Sequence, residues 1–453
     1  MSNKPRTGLA VAGLSLGTAL NPLNSSMIAV ALVVLRADFG LDVATVTWVI
    51  TSFYLSSAAG QPLMGRLADR FGPRRMFMFG MGMVAVTCAV APFSPNFALL
   101  CVARALMALG TATAYPSAMA MVGAIAKRAK VESARPLGRI QMANTSAAAV
   151  GPVIGGLLVG FVGWEALFII NVPLALAALL IVKQVAPADG ERERGSVAEL
   201  VRDSDIPGIL GFVTSLLLAM MALLDAVPGY RWWMLGAGTV IAALFVWREF
   251  RFSTPFLDLR LLGRNRPLVL VYLGFAVFNS VYYFVFFGLP QLLQESGGYD
   301  PGLVGLLMLP LATMSFLATP WAVRSMARFS VRRVLITGVV LLMAVAALMW
   351  LFTGSLAIPL VAALTALMGV PYAMVSIAFN QGMFISTRPQ ERGVAAGIFQ
   401  TCRYVGAITA TVLIGVFAAG GVDGASWGQM VLAMLVLCVP VFVVTLLWRE
   451  RTD

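Results

Sequence analysis

Long apolar runs separated by short basic turns make up almost the whole chain. Runs of about 20 residues recur from end to end, each long enough to cross ~30 Å of hydrocarbon as a helix. They predict fourteen spans, near residues 8–34, 44–65, 75–94, 97–122, 138–162, 164–184, 207–227, 232–248, 266–292, 301–322, 332–354, 357–383, 393–418 and 427–447. Alternating ten-residue segments are missing, so the expected class is an all-α polytopic membrane protein and not a barrel. One polar turn, Gly65 through Arg75, has a worn copy. Moving 258 residues on, Arg66, Arg70, Phe71, Arg74 and Arg75 fall on Arg324, Arg328, Phe329, Arg332 and Arg333, and Pro62 falls on Pro320. A charged turn repeated at the same place in two halves predicts two pseudo-symmetric bundles.

Composition agrees with a lipid solvent. Hydrophobic residues make up 60%, charged residues 11%, and the mean hydropathy is +0.89, a profile outside that of soluble domains. The charges also test the span count. With both termini in the cytoplasm, every one of the 32 Lys and Arg except Arg36, Arg104, Arg231 and Arg403 falls on the inner side. Adding or losing a span would scramble that asymmetry. The net charge of +12 then reads as retention at an anionic inner leaflet. Nucleic acid is not an expected partner, because the charges are spread over short loops. Met1 to Arg6 and the apolar run behind them look like a secretion signal, but the run is too long and lacks a small-residue cleavage site, so it is expected to be the first span. Cys88, Cys101, Cys402 and Cys438 fall inside predicted helices and suit apolar packing, so no disulfide, metal or other cofactor is expected.

The offset of 258 exceeds what six spans and their loops need, and the excess lies in the middle. A polar segment near 185–205, two extra spans and a basic linker from Arg248 to Arg266 separate the halves. The expected parse is an N-terminal six-helix bundle over 1–190, a linker with a two-helix insertion over 191–250, and a linker with a C-terminal six-helix bundle over 251–453.

Several motifs resemble the major facilitator superfamily. Gly65 to Arg75 is similar to its signature between the second and third spans. Gly151-Pro152-Val153-Ile154-Gly155-Gly156 resembles its antiporter signature on the fifth span, with Ala147 where a glycine is usual. Arg104 followed by Gly110 resembles its third motif. The two-helix insertion, Trp48 to Tyr54, and Trp164 through Phe168 to Asn171-Val172-Pro173 narrow the resemblance to the fourteen-span drug–proton antiporters. It covers nearly the whole chain. The resemblance implies multidrug or antibiotic efflux by alternating access, in a bacterial cytoplasmic membrane. It also implies a conformational latch built from Gly65, Asp69, Arg70, Gly72 and Arg74, with Arg403 beside it. The two glycines permit close approach there, and Asp69 can face the positive ends of neighbouring helices. The second copy has Val323 and Ala327 in place of Gly65 and Asp69, so it keeps the basic residues without the latch. On the fifth span Pro152 removes a backbone donor, and Gly151, Gly155 and Gly156 let another helix come close.

By analogy the first, fourth, ninth and twelfth spans line the path. Asn21, Asn24 and Ser25 share a side of the first. Arg104, Met107, Thr111 and Tyr115 share a face of the fourth. Phe275, Phe278, Asn279, Tyr282 and Phe286 form a stripe on the ninth, and Tyr372, Ser376 and Asn380 align on the twelfth. Such stripes also serve as packing or lipid contact. The buried asparagines weigh more, because polar groups in apolar surroundings need partners. Together they predict a roomy, mostly apolar cavity for amphipathic small molecules.

An absence is equally informative. The family pattern places an aspartate midway along the first span, and here Leu23-Asn24-Ser25-Ser26 carries Asn24. No Asp or Glu lies near the centre of a span, and the chain has no His. Neutral or anionic amphipaths are therefore expected as substrates ahead of dications. If protons drive transport, Asp38, Asp42 and Asp225 near the outer ends are the expected coupling groups. The main alternative is a uniporter or an importer of a polar or anionic metabolite. A non-transporting membrane sensor or assembly factor is the reading from another class. No nucleophile stands beside a base, so an enzyme is not expected. Lipids are the surrounding partners, and a monomer is expected.

Overall fold

The computed structural model describes residues 4–129, 134–186, 189, 205–224, 227, 229–252, 255, 259–388 and 392–448. Among these the chain is helical throughout, with no strand. In order, the helices are α1 (Lys4–Met27), α2 (Leu32–Phe39), α3 (Val43–Val46), α4 (Trp48–Phe71), α5 (Pro73–Val90), α6 (Phe97–Ala112) and α7 (Ala114–Ala129). Then come α8 (Ala134–Phe161), α9 (Ala166–Ile169), α10 (Asn171–Val185), α11 (Ile206–Leu223), α12 (Arg231–Arg251) and α13 (Leu259–Arg264). The last six are α14 (Arg266–Glu295), α15 (Pro301–Phe329), α16 (Val331–Leu348), α17 (Ile358–Ile385), α18 (Arg392–Phe417) and α19 (Gly424–Leu447). Thirteen helical stretches among the described residues are long and apolar enough to cross a membrane. The count reaches fourteen if Gly8–Val30 and Leu32–Phe39, bent by 64°, form one broken span.

The chain divides into two compact units, Met1–Phe39 with Trp48–Ser204, and Gly40–Thr47 with Asp205–Asp453. In the first, α8 packs along α1, and glycines set how closely. A Cβ on Gly155 would lie 2.6 Å from the Met27 carbonyl oxygen and 2.9 Å from Met27 Cα. One on Gly151 would collide with Ser26 Oγ. The glycines of the fifth-span motif thus meet the backbone of α1 immediately before the chain tightens into a 3-10 turn at Ile28–Val30 and bends. Gly156 is also buried, and Pro152 lies inside α8.

In the second unit, α11 and α12 pair through Phe212 and Phe245, whose ring centroids lie 5.9 Å apart. Only 17% and 11% of their apolar windows are buried, against 72% for α14, so they are peripheral helices that present most of their surface outward. At one end of the pair Arg248 forms an ion pair with Asp205, which is fully buried and accepts the Gly208 N–H as the α11 N-cap. Glu249 is fully buried beside them. The sequence reading placed both carboxylates in a cytoplasmic linker and gave no sign of their burial.

The repeated turn is a structural repeat as well. Gly72 has φ +100°, and Ser330, 258 residues on, has φ +110°. Both precede a helix, α5 or α16. In each unit the arginine two residues later reaches the end of a later helix, α10 or α19. Arg74 Nη2 donates to the Lys183 carbonyl, and Arg332 Nη2 donates to the Leu446 carbonyl at 2.7 Å. Cations there complement the negative end of a helix dipole. The first unit adds a reciprocal contact, because the Arg74 and Arg75 backbone N–H groups at the start of α5 donate to Asp189 at 3.1 and 3.0 Å. A side chain at position 72 would strike that carboxylate, so here the glycine is required twice, by φ and by space. At Gly65 a Cβ would meet Pro116 at 3.7 Å, an ordinary contact, so the close approach expected at both glycines exists at Gly72 alone.

Candidate functional site

The interior of the first unit is organised by one short segment. Trp164, Phe168 and Asn171 recur at helical spacing along the turn before α9 and the start of α10, and each meets a residue of interest. Trp164 Nε1 donates to Asp38 Oδ2 at 2.7 Å. Phe168 lies with its ring centroid 6.0 Å from the Arg104 guanidinium carbon. Asn171 exchanges two hydrogen bonds with Asn24, of 2.6 and 2.8 Å. Each amide also donates to the carbonyl four residues before it, Leu20 or Leu167. Both asparagines are buried, 2% and 0% exposed, so the donors of Asn24 are fully used by this neutral clasp.

Arg104 is buried in α6, and its Nε donates to the Val49 carbonyl at 3.3 Å. The Phe53 ring lies below it at 4.6 Å. Its Nη2 is buried without a hydrogen-bond partner. Among the described residues no carboxylate stands within salt-bridge distance. Met107 contacts Cys88 Sγ through its sulfur at 3.2 Å. Asn21 donates to Thr111 Oγ1 at 2.9 Å, with Ser57 Oγ at 3.5 Å. Ser25 turns back onto the Pro22 carbonyl. Tyr115, on α7, is exposed and lines a pocket with Met119, Leu137, Gly138, Ile140 and Gln141.

In the second unit the aromatic residues converge. Tyr282 on α14 stacks on Tyr372 of α17 with centroids 3.9 Å apart, and Phe278 flanks Tyr372 at 5.8 Å. Phe286 continues the row at 5.5 Å from Tyr282. Phe275 stacks at 3.7 Å on Phe399 of α18, with Phe379 beside it at 6.1 Å. Asn279 is buried and donates to the Phe275 carbonyl within its own helix, while Gly406 of α18 presses against its Cβ. Ser376 is half-buried and Asn380 exposed. Arg403, also on α18, donates from Nε to the Tyr283 hydroxyl at 3.2 Å.

The expected coupling acids differ in what they do. Asp38 holds Trp164, and Asp42 is the N-cap of α3, accepting from Thr45 N–H at 2.6 Å. Asp225 lies outside the described residues. So does the Asp69 side chain, although its backbone lies in the last turn of α4. Arg70 is half-buried.

Comparison with known proteins settles the kinship. The family model described as Major Facilitator Superfamily matches residues 14–411. The chain belongs to the major facilitator superfamily. It is a multi-pass membrane transporter and not an enzyme. Among its relatives, an uncharacterized transporter of this superfamily from Bacillus subtilis, YwoD, is 33% identical over 96% of both chains. The tetracenomycin C resistance and export protein of Streptomyces glaucescens is 28% identical, covering 93% of this chain and 79% of that one. The multidrug efflux pump LfrA of Mycolicibacterium smegmatis is also 28% identical, over 90% and 80%. A solved bacterial homologue of the human lysosomal transporter Spinster aligns over all of both chains with a TM-score of 0.70 at 14% identity, a likeness of fold.

Within this major facilitator, several partners were not singled out from the sequence: Asn171 for Asn24, Phe53 and Phe168 for Arg104, Ser57 for Asn21, and Phe379 and Phe399 for Phe275. Two signals for them were present. Phe53 sits inside the Trp48 to Tyr54 motif, and Phe168 and Asn171 inside the Trp164 to Pro173 motif. Those motifs mark the residues that hold Arg104 and Asn24 in place.

Proposed function

We propose that this transporter exports amphipathic small molecules across the plasma membrane by alternating access, driven by proton influx, and prefers neutral or anionic cargo to lipophilic dications. The observation that carries the preference is Arg104. A cation–π contact contributes about 2 kcal/mol when desolvated, less than the several kcal/mol it costs to bury an ion. With Nη2 unpartnered and no carboxylate beside it among the described residues, Arg104 favours an anionic or electronegative group of the cargo. Asn24, held by Asn171, supplies no negative charge to offset a dication. Within the second unit, the aromatic row from Phe275 to Phe286 with Tyr372 is by itself an apolar surface of the kind amphipathic cargo needs. The direction of transport follows the relatives whose names record export and efflux.

The test is transport in proteoliposomes with and without an imposed pH gradient, using neutral, anionic and dicationic cargo of similar size. The gradient should accelerate the neutral and anionic molecules, and Arg104→Gln should depress the anionic arm most. Preferred movement of dications would refute the charge preference. A second reading, uniport or import without carboxylate coupling, draws support from the neutral Asn24–Asn171 clasp and from Asp38 and Asp42 being engaged as hydrogen-bond acceptors. Asp38→Asn, Asp42→Asn and Asp225→Asn separate the two. Loss of gradient-driven transport in one of them supports coupling at the rim, and intact coupling in all three removes that assignment.

A further inference from the structure

We propose that the two-helix insertion acts on transport through its outer end. Leu224, just past α11, and Gly415 of α18 form the seat that holds α3, and this seat sets how readily the outer side opens. The proposal rests on the alternating-access reading above and on the orientation that the charge pattern implies. In the chain α3 lies between α2 and α4, two helices of the first unit, yet Gly40–Thr47 belongs to the second. Its seat there is tight. Val43, Val46 and Thr47 are 1%, 0% and 0% exposed. A Cβ on Gly415 would lie 3.1 Å from Ala44 Cα and 3.4 Å from Ala44 Cβ, so the glycine lets α3 press on the α18 backbone. The same Cβ would lie 2.8 Å from Leu224 Cδ2. Three segments far apart in sequence meet at one glycine, and one of them is the insertion.

Burial along the insertion singles out this end. Every residue of α11 from Gly211 to Ala219 is half-buried, whereas Met220 and Ala222 are 2% and 0% exposed. Away from α12, α11 packs on α18. The hairpin itself is closely knit, which fixes where Leu224 stands. Arg248 and Asp205 tie its inner end. Gly211 and Gly238 bring the two helices together, since a Cβ there would lie 3.3 Å from Phe245 Cβ or 3.2 Å from Leu218 Cβ. The segment before α3 is fixed in the first unit. Asp38 accepts the Trp164 indole N–H, the Phe39 ring lies 5.8 Å from that of Phe97, and Gly40, at φ +61°, turns the chain toward α3. In alternating access, motion of one unit against the other is carried by residues 40–47, and α3 leaves α18 when the outer side opens. Leu224 contacts the seat only while α3 occupies it, so it biases the equilibrium toward outer closure.

The test uses the full-length protein in proteoliposomes, with wild type as the blank for its four native cysteines. Ala44→Cys with Gly415→Cys should form a disulfide on mild oxidation, because the 3.4 Å between Cβ positions is close to the bonding range of about 3.5–4.5 Å. Oxidation should cut transport of radiolabelled chloramphenicol, a neutral probe, about tenfold or more, and dithiothreitol should restore it. In the single variant Ala44→Cys, adding Leu224→Ala should speed modification by a membrane-impermeant methanethiosulfonate about fivefold, the bias expected from losing part of a leucine contact in one state. Leu210→Ala and Leu244→Ala, at exposed positions of the same two helices, should leave that rate within about twofold. A folded cysteine pair that does not cross-link, an oxidised pair that transports at the reduced rate, or modification indifferent to Leu224→Ala overturns the proposal. If the pair does not fold, the Leu224→Ala arm decides alone, because it leaves Gly415 in place. Modification that responds to Leu224 in a protein that moves neither neutral nor anionic cargo would keep the seat and remove the export reading. Export with modification indifferent to Leu224 would do the reverse.

Discussion

The Asn24–Asn171 clasp permits a quantitative test of how the first unit is held. Two amides, 2% and 0% exposed, exchange two hydrogen bonds between α1 and α10. Replacing one by leucine leaves the other amide buried with its cross-helix partners gone, a cost of about 1–3 kcal/mol. Replacing both removes the polar groups together and should cost little more than the change in packing. The coupling energy between the two substitutions should therefore be about 1–2 kcal/mol, toward the upper end of what interhelical hydrogen bonds give in membrane proteins. The assay is reversible unfolding in mixed micelles under increasing dodecyl sulfate, for wild type, Asn24→Leu, Asn171→Leu and the double variant. Each single change should lower stability by about 1.5 kcal/mol, and the double by about 1–2 kcal/mol. If the two costs simply add, with coupling within about 0.3 kcal/mol of zero, the clasp is not an energetic unit and the reasoning fails.

Three further outcomes are expected. Gly155→Ala should destabilise by about 1–3 kcal/mol, because its Cβ meets the Met27 backbone, which cannot rotate away. Gly151→Ala strikes the Ser26 hydroxyl first, and Ser26 Cβ at 2.8 Å and the Leu23 carbonyl at 3.2 Å after it, so Ser26→Ala should recover part of its cost and none of that of Gly155→Ala; thermal unfolding of both glycine variants with and without Ser26→Ala decides, and equal recovery in both would be contrary. Ser330→Gly should stabilise by about 1 kcal/mol through relief of the positive φ, less the weak cap to Arg333 N–H at 3.4 Å, whereas Gly72→Ala should destabilise; calorimetry of both variants reads the opposite signs. Asp423, the exposed N-cap of α19, has its carboxyl held below the usual range by the Ser426 backbone N–H and hydroxyl. Its contribution is present above the ordinary carboxylate pKa and is lost as pH falls through the lowered one, so Asp423→Asn should flatten that acidic limb of the stability profile.

The bundle architecture was legible because lipid imposes a one-dimensional code. Every span must be apolar for about 20 residues, and the basic turns record the side on which each ends. The 258-residue repeat was legible for the same reason, and Ser330 shows that the turn keeps its backbone even where the glycine is gone. Motif residues could be named, but what each one touches could not. The spacing 164, 168, 171 marks one helical face, yet nothing linear says that this face meets Asp38, Arg104 and Asn24, which come from α2, α6 and α1.

The linear chain by itself determined the solvent, the helical class, the duplicated halves and the loss of the family's acid at Asn24, because hydropathy, charge and residue identity are properties of positions. Only the tertiary structure decided that Asn24 is closed by Asn171, that Arg104 lies buried against aromatic faces with Nη2 unpartnered, and that Asp189 returns to the start of α5. Those are properties of pairs, and a pair distant in sequence acquires its energy only when packing brings both members out of solvent together.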